Sequence, residues 1–175
     1  MSQPSGEIVF TPFSHEDMVA GIHAIAEAAA DWSPTLLVGV GRGGLTPAVF
    51  LSHRMGLSMV SVDYSTRIAQ FGDELIAVLA QRTRDGDRLL FVEDINDSGK
   101  TIGELRVALA ANGAVADRIR FAVLMNNIQS SQKVEYGFRA IDRALQKDWF
   151  VFPWEAMAPA EALTEDAMEV PERIA

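Results

Sequence analysis

Leu89-Leu-Phe-Val-Glu-Asp-Ile-Asn-Asp-Ser-Gly-Lys-Thr101 runs from an apolar segment through an acid-rich one into a Ser-Gly-Lys-Thr turn. Four apolar residues carry a buried strand to the carboxyl edge of a sheet, where α/β proteins bind their ligands. Three carboxylates follow, Glu93, Asp94 and Asp97, in what reads as a polar turn over residues 93–100. Ser98, Gly99, Lys100 and Thr101 then open a helix. A Gly/Ser/Thr turn at a helix N-terminus presents free N–H groups and hydroxyls, a site for a monophosphate. Carboxylates repel phosphate, so the three acids suit sugar hydroxyls, a Mg²⁺ ion or general-base work instead. The implied ligand is anionic at one end and hydroxyl-rich in the middle.

The flanking sequence supplies the rest of an α/β domain. Ser14 and Asp17 have capping-box spacing, and Met18, Ile22, Ile25 and Ala29 follow at helical intervals. Leu36–Val40 reads as a buried strand and Gly41-Arg-Gly-Gly44 as a turn. Pro47 then suits the first turn of a helix that ends at Gly56. Residues 57–63, 88–92 and 120–125 read as further strands, and residues 149–152 as a fifth apolar run. Ile102, Leu105, Ala108 and Leu109 mark a helix face closed near Gly113. Residues 64–87 read as a mobile excursion or hairpin rather than core. Strands alternating with helices give an α/β single domain with a mostly parallel, twisted sheet flanked by helices. The acid-rich end beyond residue 156 reads as an exposed helix or tail.

The chain has 175 residues, a formal net charge of −9 and no cysteine. Disulfides, thiolate metal sites and a cysteine nucleophile are thereby excluded. The acidic balance argues against nucleic acid as a partner. No apolar run is long enough to span a bilayer, and the N-terminus lacks a signal-peptide profile, so a cytoplasmic location is expected.

Two further motifs compete for attention. Gly99-Lys100-Thr101 matches the end of a P-loop, but that motif needs glycine where Asp94 stands. Gly39-Val-Gly41-Arg-Gly-Gly44, with Asp63 ending the next strand, matches a dinucleotide fingerprint. It supports an alternative reading as a small NAD-binding oxidoreductase, which leaves residues 93–101 without a role.

Residues 89–101 resemble the signature with which type I phosphoribosyltransferases bind 5-phosphoribosyl 1-diphosphate (PRPP), specifically in the xanthine–guanine–hypoxanthine purine branch. Val40–Leu45 resembles the family's diphosphate loop, and Trp149–Glu155 its C-terminal hood over the base. The resemblance implies a phosphoribosyltransferase domain over residues 1–156, with a hood over about 126–156 and a mobile active-site loop over about 64–81. An acidic tail or helix would fill 157–175. The implied reaction is Mg²⁺-dependent transfer of the phosphoribosyl group to a purine, yielding a nucleoside monophosphate and diphosphate, by a homodimer or homotetramer.

Residue by residue, the resemblance implies that Gly41, Arg42, Gly43 and Gly44 bind the diphosphate, at a peptide that is strained or cis in the family. Glu93 and Asp94 would hold the ribose hydroxyls directly or through Mg²⁺, with Glu155 near a second Mg²⁺. Ser98, Gly99, Lys100 and Thr101 would cradle the 5′-phosphate. Asp97 would face the purine N7 as proton acceptor. Trp149 would stack on the base, with the Phe150 backbone reading its edge. Purine members carry a lysine after the fourth strand, where this chain has Asn127, and Lys133 lies too far along to replace it. An amide donates a hydrogen bond but supplies no charge, so Asn127→Lys is expected to raise purine activity. That departure admits an alternative reading, a non-enzymatic PRPP-binding regulator on the same fold.

Overall fold

The computed structural model describes residues 8–63 and 73–168. In chain order it contains β1 (Phe10–Pro12), α1 (His15–Ala29), β2 (Leu36–Val40), α2 (Gly41–Met55) and β3 (Met59–Val62). There follow α3 (Asp73–Arg84), β4 (Leu89–Asn96), α4 (Lys100–Ala111), β5 (Ile119–Asn127), β6 (Tyr136–Ile141), β7 (Trp149–Val151) and α5 (Ala160–Met168). Ser14 caps α1 by accepting the Asp17 N–H at 3.0 Å. No helix among the described residues is long and apolar enough to cross a membrane.

Five parallel strands form the main sheet in the order β3-β2-β4-β5-β6. From β2 the chain first moves outward to β3, then returns to the other side of β2 for β4 and continues away. The order therefore reverses between β2 and β4, and the helices that follow these strands diverge there, leaving a crevice at their carboxyl ends. Alternation along the strands fills two cores. Leu37, Leu90, Val92, Ala122 and Leu124 pack with α1 and α2 on one face. Leu36, Val38, Phe91, Phe121 and Val123 pack with Ile76 and Leu79 of α3 and Ile102, Leu105 and Leu109 of α4 on the other. Burial on both faces explains why β2 and the start of β4 read as unbroken apolar runs.

Four sequence expectations are corrected. β4 does not stop at Val92: pairing continues through Glu93↔Val123, Ile95↔Met125 and Asn96↔Asn126, so the acids Glu93 and Asp94 belong to the strand. Residues 41–44 are the first turn of α2 rather than a separate turn, and Pro47 lies inside that helix. Of the expected excursion over 64–87, residues 64–72 lie outside the described residues, whereas 73–84 form α3. Ile76, Leu79, Ala80 and Thr83 of α3 are buried at helical spacing, a period masked by the charges around it. Finally, residues 136–141 are a strand, β6. Parallel strands usually need a crossover of about a dozen residues. Here residues 128–135 run back as a strap across α4.

The hood is a second, two-stranded parallel sheet in which Phe10 pairs with Trp149, Thr11 with Phe150 and Pro12 with Val151. Phe152 joins it to the first core, with ring centroids 5.1 Å from both Phe13 and Trp154.

Candidate functional site

The carboxyl ends of β2 and β4 open into a cavity of about 730 Å³. Arg42 and Thr46 of α2 line one side, Glu93, Asp94 and Thr101 another, and Trp154 and Glu155 a third. Leu163 and Asp166 of α5 close the rim, so this helix is part of the cavity wall rather than an exposed appendage. A smaller cavity of about 280 Å³ is lined by residues 93–102 and shares Glu93, Asp94 and Thr101 with the first.

Close approach fixes how the two strand ends meet. A Cβ at Gly44 would lie 2.0 Å from the Val92 carbonyl oxygen, so only glycine lets α2 press its first turn onto β4. That turn begins at Gly41, whose φ is +56°. Every peptide bond among the described residues is trans, which corrects the cis alternative expected at this loop.

Glu93 and Asp94 lie side by side at the end of β4, half-buried. Burial, reinforced by the charge of Asp94, holds the Glu93 carboxyl well above the usual carboxylate range. Burial likewise pushes Asp94 up to about 7, with the negative charge of Glu155 adding to the effect. Asp94 Oδ1 accepts the Ile95 N–H at 2.7 Å, and Glu155 Oε2 accepts the Phe152 N–H at 3.0 Å. These carboxyls are hard oxygen donors on one cavity, a set suited to Mg²⁺. Among the described residues no three acidic or histidine side chains form a closed ligand cluster. A hard divalent ion would therefore complete its shell with water and phosphate oxygens, the habit of Mg²⁺.

The loop after β4 turns at Gly99, with φ +86° and ψ 1°, and this residue caps α4. A Cβ there would lie 2.6 Å from Ser131 Oγ and 2.7 Å from Ser130 Oγ. Ser98 Oγ accepts the Lys100 N–H at 3.3 Å, and the first turn of α4 opens beside Thr101. The strap fastens the loop from behind. Ser131 donates to the Ser98 carbonyl through both its N–H (3.2 Å) and its Oγ (2.7 Å). Ser130 Oγ donates to Asn96 Oδ1 at 2.8 Å, and Asn96 Nδ2 donates to Asn126 Oδ1 and the Gln132 carbonyl, both at 2.8 Å. Sequence reasoning missed this supporting layer, because Asn and Ser in loops are ordinary turn residues.

Asp97 lines the smaller cavity with Glu93 and Asp94 and is held by a residue the sequence did not single out. Arg143 Nε donates to both Asp97 oxygens at 3.2 Å, and Nη2 to Oδ2 at 3.0 Å. The same guanidinium donates from Nη1 to the carbonyls of Asp148 (2.7 Å) and Gln146 (3.2 Å). It lies 5.0 Å from the centroid of the Phe150 ring. Asn127, expected at the base edge, is buried with both ends of its amide bonded to backbone. Nδ2 donates to the Asp97 carbonyl at 3.0 Å, and Oδ1 accepts the N–H groups of Gln129 and Arg143 at 3.1 and 3.2 Å. Trp149 is half-buried in β7, its backbone N–H donating to the Val9 carbonyl at 2.8 Å, and Phe150 beside it in the strand is buried.

The model of the phosphoribosyl transferase domain matches residues 15–160. A xanthine-guanine phosphoribosyltransferase of Cereibacter sphaeroides is 28% identical over 123 residues, 68% of each chain. An adenine phosphoribosyltransferase of Frankia casuarinae is 31% identical over 114 residues, 59% of this chain and 60% of the relative. Among solved structures, a purine phosphoribosyltransferase from Pyrococcus horikoshii superposes with a TM-score of 0.64 at 27% identity. That match covers 86% of this chain and 97% of the other.

Proposed function

The chain belongs to the phosphoribosyl transferase domain family, and from that premise we propose that it transfers the 5-phosphoribosyl group of PRPP to a purine base with Mg²⁺ as cofactor. One observation carries this reading. The acid pair of β4, the first turn of α2 and the Ser98–Thr101 turn converge where the strand order reverses. Each element suits a different part of one substrate. The N-terminal N–H groups of α4, with Ser98 and Thr101, take the 5′-phosphate. Glu93 and Asp94 take the ribose hydroxyls. Arg42 and the N–H groups of the first turn of α2 take the diphosphate.

In the reaction the bond from ribose C1 to the diphosphate oxygen breaks, and its electron pair leaves on diphosphate. A ring nitrogen of the base bonds to C1, and the base gives a proton to a positioned acceptor. Glu93, Asp94 and Glu155 would help hold Mg²⁺, which when bound would supply positive charge toward the leaving diphosphate. The remaining work belongs to the chain. Arg42 and the α2 amides offer preorganised positive charge where the leaving oxygen becomes anionic. Asp97 accepts the N7 proton. The pair with Arg143 holds the Asp97 carboxylate in position for that proton. Trp149 stacks on the base, and the Phe150 backbone meets its edge. Asn127 works beneath the site, holding the Asp97 backbone and the Arg143 loop. The enzyme acts as a dimer or tetramer in the cytoplasm.

The test is diphosphate release from PRPP and Mg²⁺ with guanine, xanthine, hypoxanthine, adenine, uracil or orotate, alongside detection of the nucleotide formed. Release only with a purine, matched by purine nucleotide, is expected. Release with a pyrimidine alone overturns the base class. PRPP binding without any release replaces transfer by a regulatory role.

A further inference from the structure

The site contains a cation that its sequence signature does not account for. Arg143 follows β6 and reaches back to Asp97, 46 positions away in sequence. Its side chain is 11% exposed and that of Asp97 15%, so the pair is screened from bulk water but not sealed. A guanidinium has five N–H donors in a planar fork. Four are engaged by Asp97 and by the carbonyls of Gln146 and Asp148. Those carbonyls lie just before Trp149, so one side chain ties the hood to Asp97. The backbone N–H of Arg143 closes the ring through Asn127, whose amide also holds the Asp97 carbonyl.

This inference rests on the proposed transfer to a purine and deepens it. We infer that Arg143 is the specificity-determining residue of the base site: with Asp97 it presents an acceptor and a cationic donor side by side, fitting the N7–H and 6-oxo edge of a purine. A 6-oxopurine offers a donor at N7–H and an acceptor at O6, which this pair complements. A 6-aminopurine offers an N–H group where Arg143 also presents N–H, and two donors cannot pair. The charge that Asn127 lacks is thus delivered from the hood side of the pocket. It comes already oriented, because Phe150 lies under the guanidinium and two carbonyls fix its plane. The same tethers make Arg143 a positioning residue for Asp97 and for the hood.

Product binding tests the contact at the 6-position without requiring turnover: N7 of a nucleotide carries no proton, so discrimination falls on the 6-substituent that faces Arg143. Calorimetry would compare guanosine 5′-monophosphate and adenosine 5′-monophosphate binding to the wild-type chain, Arg143→Met and Arg143→Lys, with thermal melting of each. The wild type is expected to prefer the guanosine nucleotide at least tenfold. Arg143→Met should erase that preference by weakening the guanosine nucleotide at least tenfold more than the adenosine nucleotide. Arg143→Lys should keep part of it, since charge survives and the fork does not. If Arg143→Met does not fold, the lysine variant decides: an undiminished preference overturns the inference. Equal weakening of both nucleotides by a folded Arg143→Met also overturns it, leaving a purely structural residue. A wild-type chain that binds neither nucleotide sinks the purine reading itself, and this inference with it.

Discussion

The titratable residues at the end of β4 have different surroundings and so different expected behaviour. Asp94 is pushed up to about 7 by burial and by Glu155, from a usual value of 3.8. The folded, metal-free chain therefore keeps a proton that the unfolded chain gives up. The Asp94 contribution to stability is greatest below pH 4 and is lost as pH rises from about 4 to about 7. Melting of the chelated protein across that range should show this decline, and Asp94→Asn should flatten it. Mg²⁺ should raise the melting temperature more at pH 8 than at pH 5, because protons compete for the same oxygens. Asp97 is a different case, since its partner is a cation. Asp97→Asn is expected to lower turnover by about 10²-fold or more, the scale of general-base catalysis, while calorimetric PRPP affinity survives. Equal losses in both would make Asp97 a binding residue. The structure reverses the expectation for Asn127→Lys. Lysine there would break bonds to Asp97, Gln129 and Arg143 and bury a charge. A loss of about 1–3 kcal/mol, read by denaturant melting, is expected together with lower activity.

At the scale of elements, the strand-to-helix turns carry the site, and glycine makes them possible. Gly99 has φ +86° and faces the Ser130 and Ser131 hydroxyls within 2.7 Å of where a Cβ would be. Gly99→Ala should cost about 1–2 kcal/mol from the left-handed backbone alone. It should also weaken PRPP binding, because the loop can relieve the clash only by moving away from the strap. The regular part of these elements was legible in the sequence. The run Leu89–Val92, the Ser14 cap and the Ile102/Leu105/Leu109 face each announce their state locally, and the structure has each in place. What was not legible is long-range. β4 continues through Glu93 and Asp94 because β5 pairs with it, and no local propensity favours acids in a strand. α3 was hidden by its charges, and β6 by the absence of a helix before it. The dinucleotide fingerprint at Gly39–Gly44 shows the reverse. Its glycines do open a helix after a strand, yet such a turn suits any phosphate-bearing ligand.

For the molecule as a whole, the site needs parts that are far apart in sequence. The sheet order brings β2 beside β4, the hood pairs Phe10 with Trp149, and Arg143 bridges from the hood to Asp97. Arg143 could not be singled out from the sequence, because only the fold brings it to Asp97. A ligand that bridges these parts should stabilise them together. PRPP with Mg²⁺ at 100 times its Kd should add about 2.7 kcal/mol. For a chain of this size that amounts to a rise of roughly 5–10 °C in melting temperature.

The most direct measurement is calorimetric titration of the chain with PRPP, with and without Mg²⁺, alongside Asp94→Asn and Gly99→Ala. Mg²⁺-strengthened binding at one site per chain, weakened by both substitutions, is the expected result. An absence of binding, or binding indifferent to both substitutions in folded protein, would contradict a PRPP site at the end of β4.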